Sequence, residues 1–148
     1  MDIIKAIQIA MKKKEERKHQ YLYWCIDIHG VLLSNTYTID NKGAKYLSIS
    51  TTCMREISED PSNKIILWSS SHNSSIINVK NDLLGLGVRV DFINCNPDCP
   101  STNICNFDEK FYFDILLDDK AGFEPQVDWC PIYHFLRNKE NYLGLDEK

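Results

Sequence analysis

The chain has 148 residues, of which 43% are hydrophobic and 26% charged, with a formal net charge of −4. That length suffices for one domain with a real core and is short for two, and the composition excludes a disordered or fibrous chain. The mild acidity gives no electrostatic footprint for nucleic acid or an anionic membrane surface, and no apolar run reaches membrane-spanning length.

Residues 1–20 place Ile4, Ile7 and Met11 at helical spacing ahead of the charged run K-K-K-E-E-R-K, which predicts an amphipathic helix packed before the first strand. Glu15 and Glu16, set among its lysines, mark a solvated face rather than a phosphate-binding one. Residues 21–31, Y-L-Y-W-C-I-D-I-H-G-V, are a continuous apolar run that stops at Asp27. Such a run predicts a strand buried on both faces, as in a parallel sheet covered by helices, and Gly30 then turns the chain away. The alternating stretch V-L-L-S-N-T-Y-T-I-D predicts a small hairpin or flap above the strand end. Residues 42–59 are helix-compatible and end at Asp60-Pro61.

A second buried strand follows at 64–70, K-I-I-L-W-S-S, with Ser69, Ser70, Ser71 and His72 at its carboxyl end. Asn73 or Ser74 is placed to cap a helix carrying Ile76, Ile77, Leu83 and Leu84 on one face, which G-L-G closes. V-R-V-D-F-I-N reads as a third strand, 94–107 as a polar loop, and F-D-I-L-L-D-D at 113–119 as a fourth strand ending in Asp118 and Asp119. Lys110 stands just before it. The tail at 129–142 is amphipathic and fits either a strand and a helix or a helix alone. The alternation predicts one domain, 1–148, built as a three-layer α/β sandwich with a mainly parallel, Rossmann-like sheet flanked by helices.

Six cysteines (Cys25, Cys53, Cys95, Cys99, Cys105 and Cys130) are scattered without C-x-x-C pairs, and some lie in buried stretches. With no signal-peptide pattern at the N-terminus, this predicts reduced thiols in the cytoplasm. Cys95, Cys99 and Cys105 cluster in the polar loop, and a zinc-binding interaction domain built on them is a third reading, although the spacing matches no standard zinc pattern.

In a parallel sheet, ligands bind at the carboxyl ends of the strands. Asp27, Ser69, Lys110 and the pair Asp118 and Asp119 all stand at or beside such ends. Taken singly they have plain explanations, Ser69 as a helix cap and Lys110 as a solvated charge. Together, carboxylates converging on one crevice repel each other unless a cation neutralises them, and hard oxygen ligands suit Mg²⁺. A serine and a lysine then remain to hold phosphate oxygens, and Asp27 to attack phosphorus.

The order D-x-x-G after strand one, a strand-terminal Ser, a Lys, then an apolar strand with D-D resembles the haloacid dehalogenase superfamily of phosphohydrolases over roughly residues 21–129. D-D-K-A-G-F-E-P-Q-V-D-W is similar to the end of small members that lack a large cap. The resemblance implies a Mg²⁺-dependent phosphomonoester hydrolase working through an aspartyl-phosphate. It implies Asp27 as nucleophile and metal ligand, the backbone carbonyl of His29 and the carboxylates of Asp118 and Asp119 as further metal ligands, and Ser69 and Lys110 as phosphate-binding groups. The family pattern is D-x-D-G, and here His29 replaces the second Asp, the acid and base of the reaction. Histidine can perform both proton transfers near neutral pH. The alternative is a weak or inactive phospho-ligand binding protein of the same fold. A response-regulator receiver domain uses the same ingredients with its acid pair first, whereas here the pair comes last. Neither gap that would house a cap domain is long enough for one, so the implied site is open. It would admit a phosphorylated substrate as bulky as a nucleic-acid end or a protein, or be covered by a second subunit in a homo-oligomer, with no membrane partner.

Overall fold

The computed structural model describes residues 2–35 and 44–138. Helix α1, Ile3–Glu16, starts at Asp2, whose side chain accepts a hydrogen bond from Lys5 N at 3.1 Å. Ile3, Ile7 and Ala10 are its buried residues, with Ile4 and Met11 partly buried beside them, so the apolar stripe sits slightly to one side of that predicted. Strand β1, Leu22–Asp27, leads to α2, Ser50–Glu59; β2, Asn63–Trp68; α3, Asn73–Gly85; β3, Phe92–Ile93; β4, Ile115–Leu117; and α4, Pro125–Arg137. The sheet order is β3-β2-β1-β4 and every pairing is parallel. This is the expected α/β architecture with a parallel sheet and helices packed on it, although the four helices share one face and the third layer is irregular chain. No helix among the described residues is long and apolar enough to cross a membrane.

Side chains alternate across the sheet, and the two faces meet different layers. Leu22, Trp24, Ile26, Ile65, Leu67, Ile115 and Leu117 share one core with the buried residues of all four helices, such as Ile7, Met54, Ile76 and Trp129. On the other face lie Tyr23, Cys25 and Ile66, also buried. There the covering is the irregular segment 94–114. Tyr23 donates its hydroxyl to Asp98 at 3.0 Å and meets the ring of Tyr112 edge-on, while Lys64 pairs with Asp98.

Several element boundaries depart from the sequence expectation. Helix α2 begins at Ser50 because the preceding residues pair with the chain after β1: Ser34 N donates to Lys45 O and Leu47 N to Leu32 O, each at 2.8 Å. The hairpin tip at 36–40, the first residues of the predicted helix at 42–43, and the tail beyond 138 lie outside the described residues. The cap position of α3 is His72, with no side-chain hydrogen bond, in place of Asn73 or Ser74. Its buried face is Ser75, Ile76, Val79 and Leu83, whereas Ile77 and Leu84 are exposed. Within 129–142, residues through Arg137 are helical.

Candidate active site

β1 runs through the sheet centre and delivers Asp27 as its last residue, half-buried at the carboxyl edge. Its register sets Ile26 against Leu117 and Asp27 against Trp68. Asp118 and Asp119 therefore emerge next to Asp27 as β4 ends. A 3-10 turn, Asp119–Ala121, begins there, and Lys120 N donates to Asp118 Oδ1 at 2.9 Å and Asp119 Oδ1 at 3.0 Å. One carboxylate oxygen from each of Asp27, Asp118 and Asp119 lies within 4.8 Å of the others. This is a hard-oxygen donor set that can hold a divalent cation.

The turn after β1 is tight. Ile28 O accepts from Leu32 N at 2.9 Å and Leu33 N at 3.0 Å, and Gly30 N donates to Leu33 O at 2.8 Å. Gly30 has φ +87°, a conformation that disfavours other residues, and a Cβ there would stand 2.5 Å from Asp119 Oδ2. Glycine is thus what lets Asp119 close on the turn. From the opposite side, fully buried Trp129 donates Nε1–H to Val31 O at 2.9 Å.

Asp27 is pushed up from its ordinary value to about 7, first by burial, then by the Asp118 charge and a side-chain hydrogen bond with Asp119, against which the Ile28 N–H at 2.9 Å pulls only weakly. Neighbouring Cys25 is pushed up to about 12 by burial and the charges of Asp118 and Asp27, so it stays a thiol.

Ser69 lies one residue past Trp68 on the same edge. Asn94 clasps its backbone: Ser69 N donates to Asn94 Oδ1 at 2.9 Å, and Asn94 Nδ2 donates to Ser69 O at 2.8 Å. The Ser69 hydroxyl accepts from Ser71 N at 3.1 Å, so it shapes the strand-to-helix turn and does not cap α3. His29 is half-buried and its backbone pairs with Leu33. Lys110 is exposed and forms no ion pair among the described residues, which leaves its ammonium available. Its neighbour Phe111 packs on Trp68 with ring centroids 5.3 Å apart. The three carboxylates are thus brought together, Ser69 is set on their edge, and Lys110 is tied to that edge only through Phe111. Cys95, Cys99 and Cys105 do not assemble a metal-sized group among the described residues.

Sequence reasoning missed Asn94, the Gly30–Asp119 contact and the Trp129 hydrogen bond. An Asn closing a predicted strand is a weak signal for Asn94, since Asn tolerates the left-handed backbone it adopts at φ 53°.

No protein-family model matches the chain, and no curated protein sequence matches it. Among solved structures, a conserved protein from Bacteroides thetaiotaomicron is similar, with a TM-score of 0.60 and 19% identity over 80% of this chain and 92% of that one. The D,D-heptose 1.7-bisphosphate phosphatase from B. bronchiseptica, complexed with magnesium and phosphate, overlaps at a TM-score of 0.40 and 14% identity, over 55% of this chain and 53% of that one. The latter overlap carries no weight for function. The former shows that the parallel sheet and its helices are a fold held in common with the Bacteroides protein.

Proposed function

We propose that this protein is a Mg²⁺-dependent phosphomonoester hydrolase of the haloacid dehalogenase type, with Asp27 as nucleophile. The observation that carries the reading is the meeting of Asp27 with Asp118 and Asp119, some ninety residues away, with oxygens within 4.8 Å at the carboxyl edge of a parallel sheet. A half-buried nucleophile beside two acids resists ionisation unless a cation is present, in keeping with the upward shift of Asp27. Asp27, Asp118, Asp119 and the His29 carbonyl would hold Mg²⁺. When bound, the ion supplies the positive charge that keeps Asp27 ionised and draws in phosphate oxygens.

The protein's own groups account for the remaining chemistry. Lys110 and the Ser69 hydroxyl hold the phosphoryl oxygens, and the Asn94 clasp fixes the Ser69 backbone. A carboxylate oxygen of Asp27 attacks phosphorus, the ester P–O bond breaks, and the leaving oxygen takes a proton from His29. Neutral His29 then accepts a proton from water as that water attacks the aspartyl-phosphate. The bond to Asp27 breaks, phosphate leaves, and both residues return to their starting state.

The test is phosphate release from phenyl phosphate with and without Mg²⁺, in the native protein and in Asp27→Asn. Release that needs both the metal and Asp27 is expected; equal rates in the two proteins would end the proposal. His29 motivates a second reading, a phospho-ligand binding protein without turnover. Metal-dependent phosphate binding with no release at any pH would favour it.

A further inference from the structure

The segment that covers the second face of the sheet forms a cleft of about 370 Å³, walled by Phe107, Lys110, Phe111, Tyr112 and Phe113. We infer that this cleft receives the leaving group of the substrate and selects phosphomonoesters that carry a planar aromatic ring, whether a nucleobase or a simple aryl group. The inference rests on the phosphatase reading, because it takes Lys110 as the phosphate-binding lysine.

Its location comes from the ring contacts. Phe111 meets Phe113 at 6.0 Å and Trp68 at 5.3 Å, and Trp68 is the register partner of Asp27. Phe111 is thus a wall that the cleft shares with the strand edge bearing Asp27, and the lysine assigned to the phosphoryl group is another of its walls. A substrate whose phosphate lies at Asp27 and meets Lys110 has its organic part directed here.

The walls are held in place before any ligand arrives. Tyr112 donates its hydroxyl to Asp114 Oδ1 at 2.6 Å, Asn96 Nδ2 donates to Tyr112 O at 2.8 Å, and the Phe107 ring packs edge-on against Tyr112 at 6.0 Å. A preformed volume of this size is in the range of small-molecule sites. Its chemistry is selective. Phenyl walls gain from stacking and from burying a flat ring, whereas most hydroxyls of a polyol placed there would lose water and find few partners. Asn106 adds one polar point: its Oδ1 accepts from Asp108 N at 2.9 Å, which leaves its amide N–H groups to meet a heterocycle edge.

The experiment measures binding, so that it does not depend on turnover. Asp27→Asn protein with Mg²⁺ is titrated by calorimetry with phenyl phosphate, AMP and glycerol phosphate. Both ring-bearing esters are expected to bind roughly tenfold tighter than glycerol phosphate, and Phe111→Leu in the same background should bring the ratio toward one. The stronger of the two rings identifies a nucleobase or an aryl preference. In Asp27→Asn protein with Phe111 intact, phenyl phosphate should quench the emission of Trp68, which packs on the cleft wall Phe111 and is 41% exposed while Trp24 and Trp129 are fully buried. That measurement stands even where Phe111→Leu fails to fold. Equal affinity for the three esters, or no quenching, overturns the subsite. Phosphate release through Asp27 with equal affinities would leave the phosphatase and remove the subsite; ring-selective binding without turnover would do the reverse.

Discussion

At Asp27, burial and two neighbouring acids push in one direction, and the pKa near 7 makes a stability statement for the metal-free protein. With a folded value above the ordinary 3.8, the folded state holds more protons than the unfolded one between those limits. The stability that protonation contributes is therefore complete below the lower limit and lost as pH rises through the upper one. Metal-free protein is expected to melt at lower temperature at about pH 8 than at about pH 5. Asp27→Asn should flatten that dependence, and Mg²⁺ should restore stability mainly at the upper end; identical profiles in both proteins would count against the cluster. Gly30 is the other residue with a sharp expectation. Alanine there meets both a left-handed backbone and Asp119 Oδ2, so Gly30→Ala should lower unfolding free energy by about 1–2 kcal/mol. It should also weaken Mg²⁺ binding, which calorimetry would register; unchanged affinity would refute the proposed closeness of turn and acid. Asp27, Asp118 and Asp119 were legible in the sequence because acids stand out where apolar strands stop. The need for glycine at 30 was legible only as a turn, because its contact with Asp119 crosses nearly ninety residues of chain.

At the scale of elements, the site depends on how each strand end is anchored to the loop or turn beyond it. Asn94 ends β3 with a left-handed backbone and makes both hydrogen bonds to Ser69, so Asn94→Ala removes two bonds and adds strain. A loss of about 1–3 kcal/mol in urea unfolding is expected, with Asn94→Gly losing less because it keeps the backbone conformation. Equal stability of all three proteins would show that the clasp is idle. Likewise Trp129→Phe keeps an aromatic ring in the core but leaves Val31 O unsatisfied, for an expected loss of about 1–3 kcal/mol. Strands β1 and β2 were readable from unbroken apolar runs. The start of α2 was not, because 44–49 are claimed by pairing with 32–34, a tertiary choice that overrides helix-compatible residues. The face of α3 was misplaced for a related reason: periodicity offered two adjacent stripes, and packing chose Ile76, Val79 and Leu83.

Across the molecule, the parallel order β3-β2-β1-β4 puts the two acid-bearing strands side by side at the centre and β4 edge. Parallel direction and alternation were readable from the sequence. That the helices would share one face of the sheet, leaving the other to an aromatic loop, was not readable, because 94–114 has no periodicity and its order comes from contacts such as Tyr23 with Asp98. The layering matters for function, since the loop rather than a helix borders the carboxylate edge through Phe111 and Trp68. The proposed function rests on Asp27 as the group that attacks phosphorus. The most direct measurement is mass spectrometry of His29→Asn protein, acid-quenched after brief exposure to phenyl phosphate and Mg²⁺, because loss of the second proton transfer should let the covalent intermediate accumulate. A phosphoryl group on the peptide bearing Asp27 is the predicted result. Turnover in the native protein with the phosphoryl group on another residue, or on none, would contradict it.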